Sequence, residues 1–300
     1  MNLQYVKYAL EIARTGSISK AAENLSVAQP NLSRAVKELE GQLGISIFER
    51  TRTGMTVTPE GEKLLSAGER ILREVGELET MFSGESRPRR SFSFIGPSSV
   101  YLSHAFMSFA CSLPAEERFD LIYREAAADE ILEQVTSGAC KLGILRIPLH
   151  FEKYYTEKLA ARELKAETVA DFSPVAVAVL GSALAGFERV TPHILADYCE
   201  IQYPDAPRPE GADGDRSPRR TLLVTEQSTR LSILTGDPTA YQFDAPMPGH
   251  LAAERGLIQR PVHEGTPYRD LLVTQAAYRL TNTDEAFLRA LRGTVRSLQE

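Results

Sequence analysis

One amphipathic helix, predicted over Gln29–Leu43, constrains this chain more than any other segment. Its apolar side chains recur at helical spacing along one face, at Leu32, Val36, Leu39 and Leu43. The opposite face carries amide, hydroxyl and basic side chains, which are Gln29, Asn31, Ser33, Arg34 and Lys37. Side chains of these types donate hydrogen bonds to base edges and phosphates. The helix is therefore predicted to have one buried face and one face suited to reading DNA.

A shorter helix is predicted just before it, from Lys20 to Leu25, with Ser26–Ala28 as a tight turn between the two. A short helix, a short turn and a second helix with hydrogen-bond donors at its N-terminal end are typical of a helix-turn-helix. An ordinary pair of helices with one solvated face is the alternative, because helical hairpins are common in other proteins.

The residues that follow favour the DNA-reading interpretation. Ile47–Arg50 and Met55–Thr58 are predicted to form two short strands joined by a basic tip at 51–54. A hairpin of this kind beside a recognition helix is a wing. Its side chains Arg50 and Arg52 are placed to reach phosphates or the minor groove.

These segments share a specific set of residues with one known family. The matching positions occur in order and without gaps, at Gly16-Ser17, Ala21-Ala22, Leu25, Gln29-Pro30, Ser33, Leu39-Glu40, Leu43-Gly44, Ile47, Phe48-Glu49-Arg50 and Thr58-Pro59-Glu60-Gly61. Through them the chain resembles the LysR-type transcriptional regulators over its first sixty or so residues. Beyond residue 90 only the general layout is similar. The DNA-contacting residues are accordingly predicted to be Ser19, Gln29, Pro30, Asn31, Ser33, Arg34, Lys37, Arg50 and Arg52.

The chain departs from the family at the start of the recognition helix. Ala28 stands where the family usually has a serine that would cap the helix. Without this cap the helix is expected to be less stable by about 1 kcal/mol. The alternatives are that Ser26 takes over the capping or that a DNA contact is missing.

Charge is distributed unevenly along the chain, whose net charge is −6. Residues 1–90 contain 13 Lys and Arg against 12 Asp and Glu, whereas the remaining residues contain 21 against 28. Affinity for DNA must therefore come from basic residues clustered on one face rather than from the net charge.

The sequence predicts a cytoplasmic protein without cofactors. An amphipathic helix begins directly after Met1 in place of a signal peptide, and the longest apolar run, Pro174–Gly186, is too short to span a bilayer. Cys111, Cys140 and Cys199 form no CxxC motif and are expected to be buried structural thiols. Neither a disulfide framework nor a metal site is indicated.

A long helix is predicted from Pro59 to Phe82, capped by Thr58. Residues at alternating steps of three and four form a heptad seam, which consists of Gly61, Leu64, Gly68, Ile71, Val75, Leu78 and Phe82. The alternative is packing on the helix's own domain through Leu65 and Leu72. In the family this helix is the dimerisation element, so the resemblance implies a homodimer or homotetramer joined by Leu64, Gly68, Ile71, Val75, Leu78 and Phe82.

The fold class predicted for the whole chain is α/β, with an N-terminal all-α winged helix-turn-helix. Strand and helix alternate in a βαβαβ pattern over 91–147, which indicates a parallel sheet covered by helices. The resemblance implies an effector domain of two α/β subdomains, similar to a periplasmic binding protein. The predicted division is a DNA-binding domain 1–58, a linker helix 59–83, a hinge 84–90 and an effector domain 91–300, with subdomain I at 91–162 and 268–300 and subdomain II at 163–267.

The elements that follow residue 147 are predicted less precisely. They are extended chain over Lys158–Leu180, a short helix from Thr191, a strand at Thr221–Thr225, a helix at Ser228–Thr235, a strand at Tyr241–Asp244, a helix at Pro248–Arg255, extended chain at Leu271–Tyr278 and a last helix from Thr283. Residues 204–218 form a polar loop. Its acidic residues do not have the spacing of a calcium-binding EF-hand, so a solvated insertion is favoured.

Ligands of open α/β sheets gather at the carboxyl ends of strands, near helix N-termini. The residues predicted at such positions are Ser98, Ser99, Arg146, Gln227, Ser228 and Thr229. Together with a positive side chain at Arg146 they predict a small-molecule effector, with an anion preferred. Simple helix capping by the hydroxyl residues is the alternative.

No catalytic motif is present, because the sequence lacks GxGxxG, GxxxxGK[ST], HExxH and GxSxG and its five histidines are scattered. The predicted function is therefore not enzymatic. It is sequence-specific regulation of transcription. The predicted partners are an operator in double-stranded DNA, a small-molecule effector and a second copy of the chain, with RNA polymerase as a further candidate and no membrane. A cytoplasmic solute-binding or redox-sensing protein of the same architecture is the alternative.

Overall fold

The structure is a computed structural model that describes residues 2–51, 54–82, 90–203, 206–208, 218–263 and 265–298. The chain divides into two compact units, Met1–Arg89 and Arg90–Glu300. The predicted hinge falls at this division, and its residues 84–89 lie outside the described part. None of the described helices is long and apolar enough to cross a bilayer.

The first unit contains four helices and one hairpin. They are α1 (Leu3–Thr15), α2 (Ile18–Asn24), α3 (Gln29–Leu43), β1 (Phe48–Thr51), β2 (Gly54–Val57) and α4 (Pro59–Phe82). The core is built from the inward faces of α1 and α3, where Val6, Ile12, Leu32 and Leu39 are almost completely buried. The apolar spacing seen in the sequence thus marks the inward face of α3 at Leu32, Val36 and Leu39, whereas Leu43 at the end of the helix is 39% exposed and not buried as predicted.

The turns around α2 are set by local chemistry. Gly16 ends α1 in the left-handed conformation, with φ of 64°, and the Ser17 side chain caps α2 by accepting a bond from the Lys20 N–H at 3.4 Å. Ser26, with φ of 52°, makes the tight turn into α3. The prediction that Ser26 caps α3 in place of the missing serine is wrong, because the N-terminus of α3 at Ala28 receives no side-chain hydrogen bond.

The wing is held to both neighbouring helices. Its two strands pair with Arg50 opposite Met55 and are shifted by about one residue from the predicted positions. A carboxylate oxygen of Glu40 in α3 accepts the backbone N–H groups of Ile47 at 2.7 Å and Phe48 at 3.3 Å. The Met55 N–H donates to the Gly16 carbonyl at the end of α1, at 2.9 Å. The first strand of the hairpin is therefore fixed to α3, and the second strand is fixed to the end of α1.

The first turns of α4 pack on this same unit. Thr58 caps the helix by accepting the Gly61 N–H at 2.9 Å, as predicted. A methyl group placed on Gly61 would lie 2.3 Å from the Ile47 carbonyl oxygen, and one on Gly68 would lie 2.4 Å from Val6 Cγ1. Gly68 is thus buried against α1 and belongs to the packing of the unit itself, which corrects its assignment to the dimer seam. Leu64 and Leu72 also pack against this core.

The second unit contains two five-stranded sheets. The first has the strand order β4-β3-β5-β12-β6, and its strands are β3 (Arg90–Gly96), β4 (Phe119–Glu125), β5 (Leu142–Pro148), β6 (Leu164–Phe172) and β12 (Tyr268–Gln275). The helices between and after them are α5 (Val100–Ser112), α6 (Ala128–Thr136), α7 (Glu152–Ala160) and α11 (Asn282–Arg296). Strands β3, β4 and β5 are parallel, which confirms the βαβαβ prediction.

The second sheet has the order β11-β7-β10-β8-β9. Its strands are β7 (Val175–Val179), β8 (Cys199–Gln202), β9 (Arg220–Leu223), β10 (Ala240–Asp244) and β11 (Leu257–Pro261), and its helices are α8 (Pro192–Leu195), α9 (Gln227–Gly236) and α10 (Gly249–Glu254). The chain passes between the two sheets after β6 and again after β11. The two halves of this unit are therefore joined by two connections, each leading to or from an antiparallel strand.

Several sequence predictions for this unit need correction. Strand β6 pairs with β12, so the first half extends to about residue 172 rather than 162. Lys158 lies in helix α7 and not in extended chain. Strands β8 and β11 were not predicted, because each is only four or five residues long and follows a helix closely. Cys111 is exposed rather than buried, whereas Cys140 and Cys199 are buried as expected, and none of the three forms a disulfide.

Candidate DNA-reading face and ligand cleft

The outward face of α3 presents the side chains predicted to read DNA. Gln29, Pro30, Asn31, Arg34 and Lys37 are exposed, and Ser33 is half-buried. Within the described residues, none of the polar side chains in this set is hydrogen-bonded to another part of the chain. Because buried apolar residues fix the other face of the helix, these donors are held outward without an internal partner.

A concave surface adjoins the N-terminal end of α3. It is lined by residues from the end of α1, from α2, from the start of α3 and from the wing, and it includes Ser19, Gln29 and Met55. The structure thus brings the predicted Ser19 and Gln29 together beside the hairpin. Arg52 and the side chain of Arg50 lie outside the described residues, so their role stays a prediction.

The serines after β3 occupy the start of α5, as predicted. Ser99 is the N-terminal cap residue of α5, yet its hydroxyl makes no capping bond. Only 1% of Ser99 is exposed, and its Oγ has no hydrogen-bond partner among the described residues. Ser98 Oγ accepts a bond from Arg230 Nη2 at 2.6 Å, which links the first half of the unit to the second. These serines therefore do more than cap a helix.

Arg146 is not the free cation that the sequence suggested. Its Nε and Nη2 donate to the two carboxylate oxygens of Asp270 on β12, at 2.9 and 2.8 Å. Tyr101 also donates to Asp270, and the guanidinium lies over the Phe172 ring at 4.9 Å. Since the ion pair is buried, it raises the pKa of Arg146 against the effect of burial itself. Only Nη1 of Arg146 is left without a partner.

Helix α9 supplies the predicted residues of the second half. Gln227 and Ser228 line a cavity of about 290 Å³ together with Val100 and Ser103 of α5. Thr229 is exposed and does not line this cavity, so its assignment to the effector site is not supported. The cavity is lined by residues of both halves of the unit, but the predicted Ser98, Ser99 and Arg146 are not among them.

Sequence reasoning missed Arg230, which is 3% exposed. Its Nη1 donates to the Thr225 carbonyl at 2.8 Å, its Nη2 donates to Ser98, and its guanidinium stacks on the Tyr203 ring at 4.0 Å. Its Nε has no partner. An arginine one turn after Gln227, within a helix that starts at a sheet edge, is the signal that was available.

Gln242 and Asp244 of β10 were missed as well. They alternate with apolar residues in a buried strand, so that one face of β10 is polar. Gln242 Nε2 donates to Asp244 Oδ2 at 2.9 Å, and the Ala245 N–H donates to Asp244 Oδ1 at 2.7 Å. Burial raises the pKa of Asp244 to about 6, although Arg146 and Arg230 favour its charged form.

Buried polar atoms without partners are concentrated in this region. Four of them belong to residues from both halves of the unit, and they are Ser99 Oγ, Arg146 Nη1, Arg230 Nε and Gln242 Oε1. Buried polar groups in folded proteins are nearly always hydrogen-bonded to protein, water or a ligand. This region is therefore the candidate site for a polar ligand.

Comparison with known proteins identifies the first unit. Residues 3–62 match the sequence model of the bacterial regulatory helix-turn-helix proteins of the lysR family. The uncharacterized HTH-type transcriptional regulator YcgK of Bacillus subtilis is 32% identical over 158 residues, which are 51% of this chain and 48% of YcgK. The chain thus spans about half the length of the curated relative it matches.

Solved structures resemble the chain over nearly its full length. The LysR family regulator CbnR, solved full-length in complex with its target DNA, covers 98% of this chain and 100% of its own, with a TM-score of 0.62 and 18% identity. The full-length LysR-type regulator LysG of Corynebacterium glutamicum, with bound effector Arg, covers 99% and 98%, with a TM-score of 0.62 and 16% identity. At these identities the likeness establishes the fold.

The chain combines a winged helix-turn-helix unit with a two-sheet α/β unit, and CbnR and LysG are similar to it in fold. Residues 3–62 are thus similar to the helix-turn-helix part of the lysR family of bacterial regulatory proteins.

Proposed function

We propose that this protein regulates transcription by binding an operator in double-stranded DNA, under the control of a small molecule held in the cleft of the second unit. One observation carries the proposal: the outward face of α3 presents Gln29, Asn31, Arg34 and Lys37 beside the wing, without internal hydrogen-bond partners among the described residues. These side chains can bind base edges in the major groove without first breaking an internal hydrogen bond.

Two related structures support the two halves of the proposal. CbnR was solved with its target DNA and LysG with a bound effector. In this chain the corresponding features are the α3 face in the first unit and the cleft that contains Ser98, Ser99 and Arg230 in the second. An enzymatic role has no support from the family, whose relatives are regulators.

The class of effector is the finer part of the proposal. The expectation of an anion rested on the positive partial charge of helix N-termini and on a free guanidinium at Arg146, and the ion pair with Asp270 engages the second of these. The hydroxyls of Ser98 and Ser99, and Gln227 and Ser228 of α9, remain as proposed contacts.

Self-association through α4 is part of the proposed mechanism. Ile71 is 37% exposed and Val75 is half-exposed, so both are available to a second copy of the chain, while the side chains of Leu78 and Phe82 lie outside the described residues. A homodimer or homotetramer would place two recognition helices on successive major grooves. The proposed setting is the cytoplasm, with RNA polymerase as a further partner.

Binding to DNA tests the proposal directly. Fluorescence anisotropy with DNA from upstream of the gene, against a scrambled duplex of equal length, is expected to show specific binding at fixed salt. Arg34→Ala should weaken specific binding by about 1–3 kcal/mol, the value of one good base contact. Lys7→Ala, an exposed cation on α1, is the matched control and should have a much smaller effect.

If the wild-type chain does not distinguish upstream from scrambled DNA, a solute-binding protein of the same architecture becomes the better interpretation. An Arg34→Ala variant that keeps full specific affinity, with an unchanged circular dichroism spectrum, would remove α3 as the reading element.

A further inference from the structure

Two histidines meet where the two halves of the second unit come together. His104 belongs to α5 of the first half, and His250 belongs to α10 of the second half. Their ring centroids are 5.9 Å apart and their ring planes are inclined by 74°, so the edge of one ring faces the plane of the other. His104 is half-buried and His250 is exposed. Because the two helices belong to different sheets, this contact depends on how closely the halves approach each other.

The charged groups around the histidine pair are mainly positive. Burial, then His250 and then Arg255 lower the pKa of His104, and Glu254 has a smaller effect in the opposite direction. Within α5 the neighbour of the His104 ring is Ser108, whose Oγ lies 3.4 Å from Nε2. Helix α11 also packs on α5, but it contributes no charged group to this set among the described residues.

The lowered pKa of His104 gives the direction of its pH dependence. The folded chain favours the neutral ring, so the stabilising contribution of His104 is present above its ordinary pKa of about 6.5. The contribution is lost as the pH falls through the lowered pKa. Acid therefore weakens the contact between α5 and α10.

Carboxylates do not compensate this positive charge within the part of the chain that the structure describes. Neither imidazole forms an ion pair there, and Arg255 donates only to the Leu251 carbonyl, at 3.3 Å. Protonation of both rings would set three positive charges against the one carboxylate of Glu254. Two unit charges separated by 5.9 Å repel each other enough to change an equilibrium about threefold, even in water.

The hydrogen bonds that join the two halves do not change over the same pH range. Arg230 Nη2 donates to Ser98 Oγ at 2.6 Å, and the Tyr268 hydroxyl donates to the Arg208 carbonyl at 3.1 Å. Arginine, serine and tyrosine side chains keep their protons between about pH 5 and 8. These bonds hold the halves together at neutral pH but do not make their closure sensitive to acid.

Asp244 titrates in a similar range with the opposite effect. Burial raises the pKa of this carboxyl to about 6, so the folded chain favours its neutral form. Its contribution is therefore present at low pH and is lost as the pH rises. A weakening of the contact between the halves in acid thus cannot come from Asp244.

The histidine pair also adjoins the cavity between α5 and α9. Ser103, which precedes His104, and Arg255, which follows α10, both line that cavity. A movement of α10 away from α5 therefore changes the shape of the cavity.

We infer that protonation of His104 and His250 drives α10 away from α5, so that the two halves of the second unit open in acid. The ligand of this site is the proton itself. The inference goes beyond the proposed function and does not rest on it, because the opening requires neither DNA nor an effector.

Pulsed electron paramagnetic resonance on the full-length chain measures the opening. Nitroxide labels at Glu157→Cys in α7 and Glu188→Cys before α8 mark the two halves, and the exposed Cys111 is replaced by serine. Dilution with unlabelled chain restricts the signal to distances within one molecule. From about pH 7.5 to 5.5 the long-distance population should rise about threefold relative to that of the His250→Gln variant. The Asp244 effect is common to both proteins and cancels in this comparison.

A cycle of variants shows whether the two rings act together. His104→Gln should remove the same pH dependence as His250→Gln, and the double variant should remove no more. The pKa of His104, followed through the imidazole C–H signals in nuclear magnetic resonance, should rise in His250→Gln, because one cause of its lowering is removed. His193→Gln is the matched control, since His193 is an exposed histidine on α8, and it should keep the wild-type profile.

Profiles of wild type and His250→Gln that coincide between about pH 7.5 and 5.5 would overturn the inference. So would an equal loss of pH dependence in His193→Gln, because the effect would then not belong to this pair. Neither result bears on DNA binding, which is measured separately by anisotropy.

Discussion

The buried ion pair between Arg146 and Asp270 leads to a prediction about stability rather than ligand binding. The side chains are 3% and 0% exposed, and two parallel hydrogen bonds join them. Arg146→Ala would leave the Asp270 carboxylate buried, with Tyr101 as its remaining side-chain partner. Removing one member of a buried pair costs about 3–5 kcal/mol, because the other charge stays desolvated without compensation.

Such a loss is a large part of the stability of a typical domain, which is about 5–15 kcal/mol. The sequence alone had predicted Arg146 only as a residue of the effector site. The structure instead predicts that the whole second unit becomes marginally stable.

Hydrogen exchange followed by mass spectrometry is the appropriate assay, because peptides from β5 and β12 report the opening of this unit separately from the first unit. Their opening free energy should fall by about 3–5 kcal/mol in Arg146→Ala. Arg292→Ala is the matched control, since Arg292 and Glu167 form an ion pair whose side chains are 56% and 63% exposed. The control should lose less than about 1 kcal/mol.

A double variant separates the charge effect from lost packing. Arg146→Met with Asp270→Asn removes both charges while keeping much of the side-chain volume, so it should recover part of the loss seen in Arg146→Ala. If Arg146→Ala lowers the opening free energy no more than Arg292→Ala does, the buried ion pair does not stabilise the second unit.

Two further predictions concern pH and assembly. The pKa of Asp244 is raised to about 6 in the folded chain, so the folded state favours the protonated carboxyl. The contribution of this group to the free energy of unfolding is therefore present below about pH 4 and is lost as the pH rises through 6. Between pH 4 and 7 the opening free energy of β10 should fall by about 3 kcal/mol in the wild-type chain, and Asp244→Asn should remove this fall. A pH profile that is the same in both proteins would contradict the raised pKa. Ile71→Asp should lower the mass measured by light scattering to that of a monomer, because it places a charge in a heptad seam. A variant with the wild-type mass would show that this face of α4 is not the interface between two copies.

The N-terminal unit was largely predictable because its signals are local. Apolar spacing fixed the buried face of α3, Gly16 marked the end of α1, and Thr58 marked the start of α4. The role of Gly68 was not predictable, since heptad spacing does not reveal whether a helix face meets its own domain or a second chain. Only the contact with Val6 decided it.

The cleft was predictable in position but not in charge. Hydroxyl residues after strands pointed to Ser98 and Ser99, because strand ends and helix starts coincide there. The partner of Arg146 is 124 residues away in sequence, on an antiparallel strand, so no local pattern could show that its charge is neutralised. The same long-range pairing hid Arg230, which bonds to a serine 132 residues away.

The attachment of the wing has a consequence for how such a regulator can respond. Glu40 ties the first strand to α3, and Gly16 ties the second strand to α1, so the helix and the hairpin are parts of one rigid body. Under the proposed function, an effector bound to the second unit would turn or displace this body without reshaping it. The base sequence preferred within each half-site should stay constant with and without effector, whereas the preferred distance between half-sites should change.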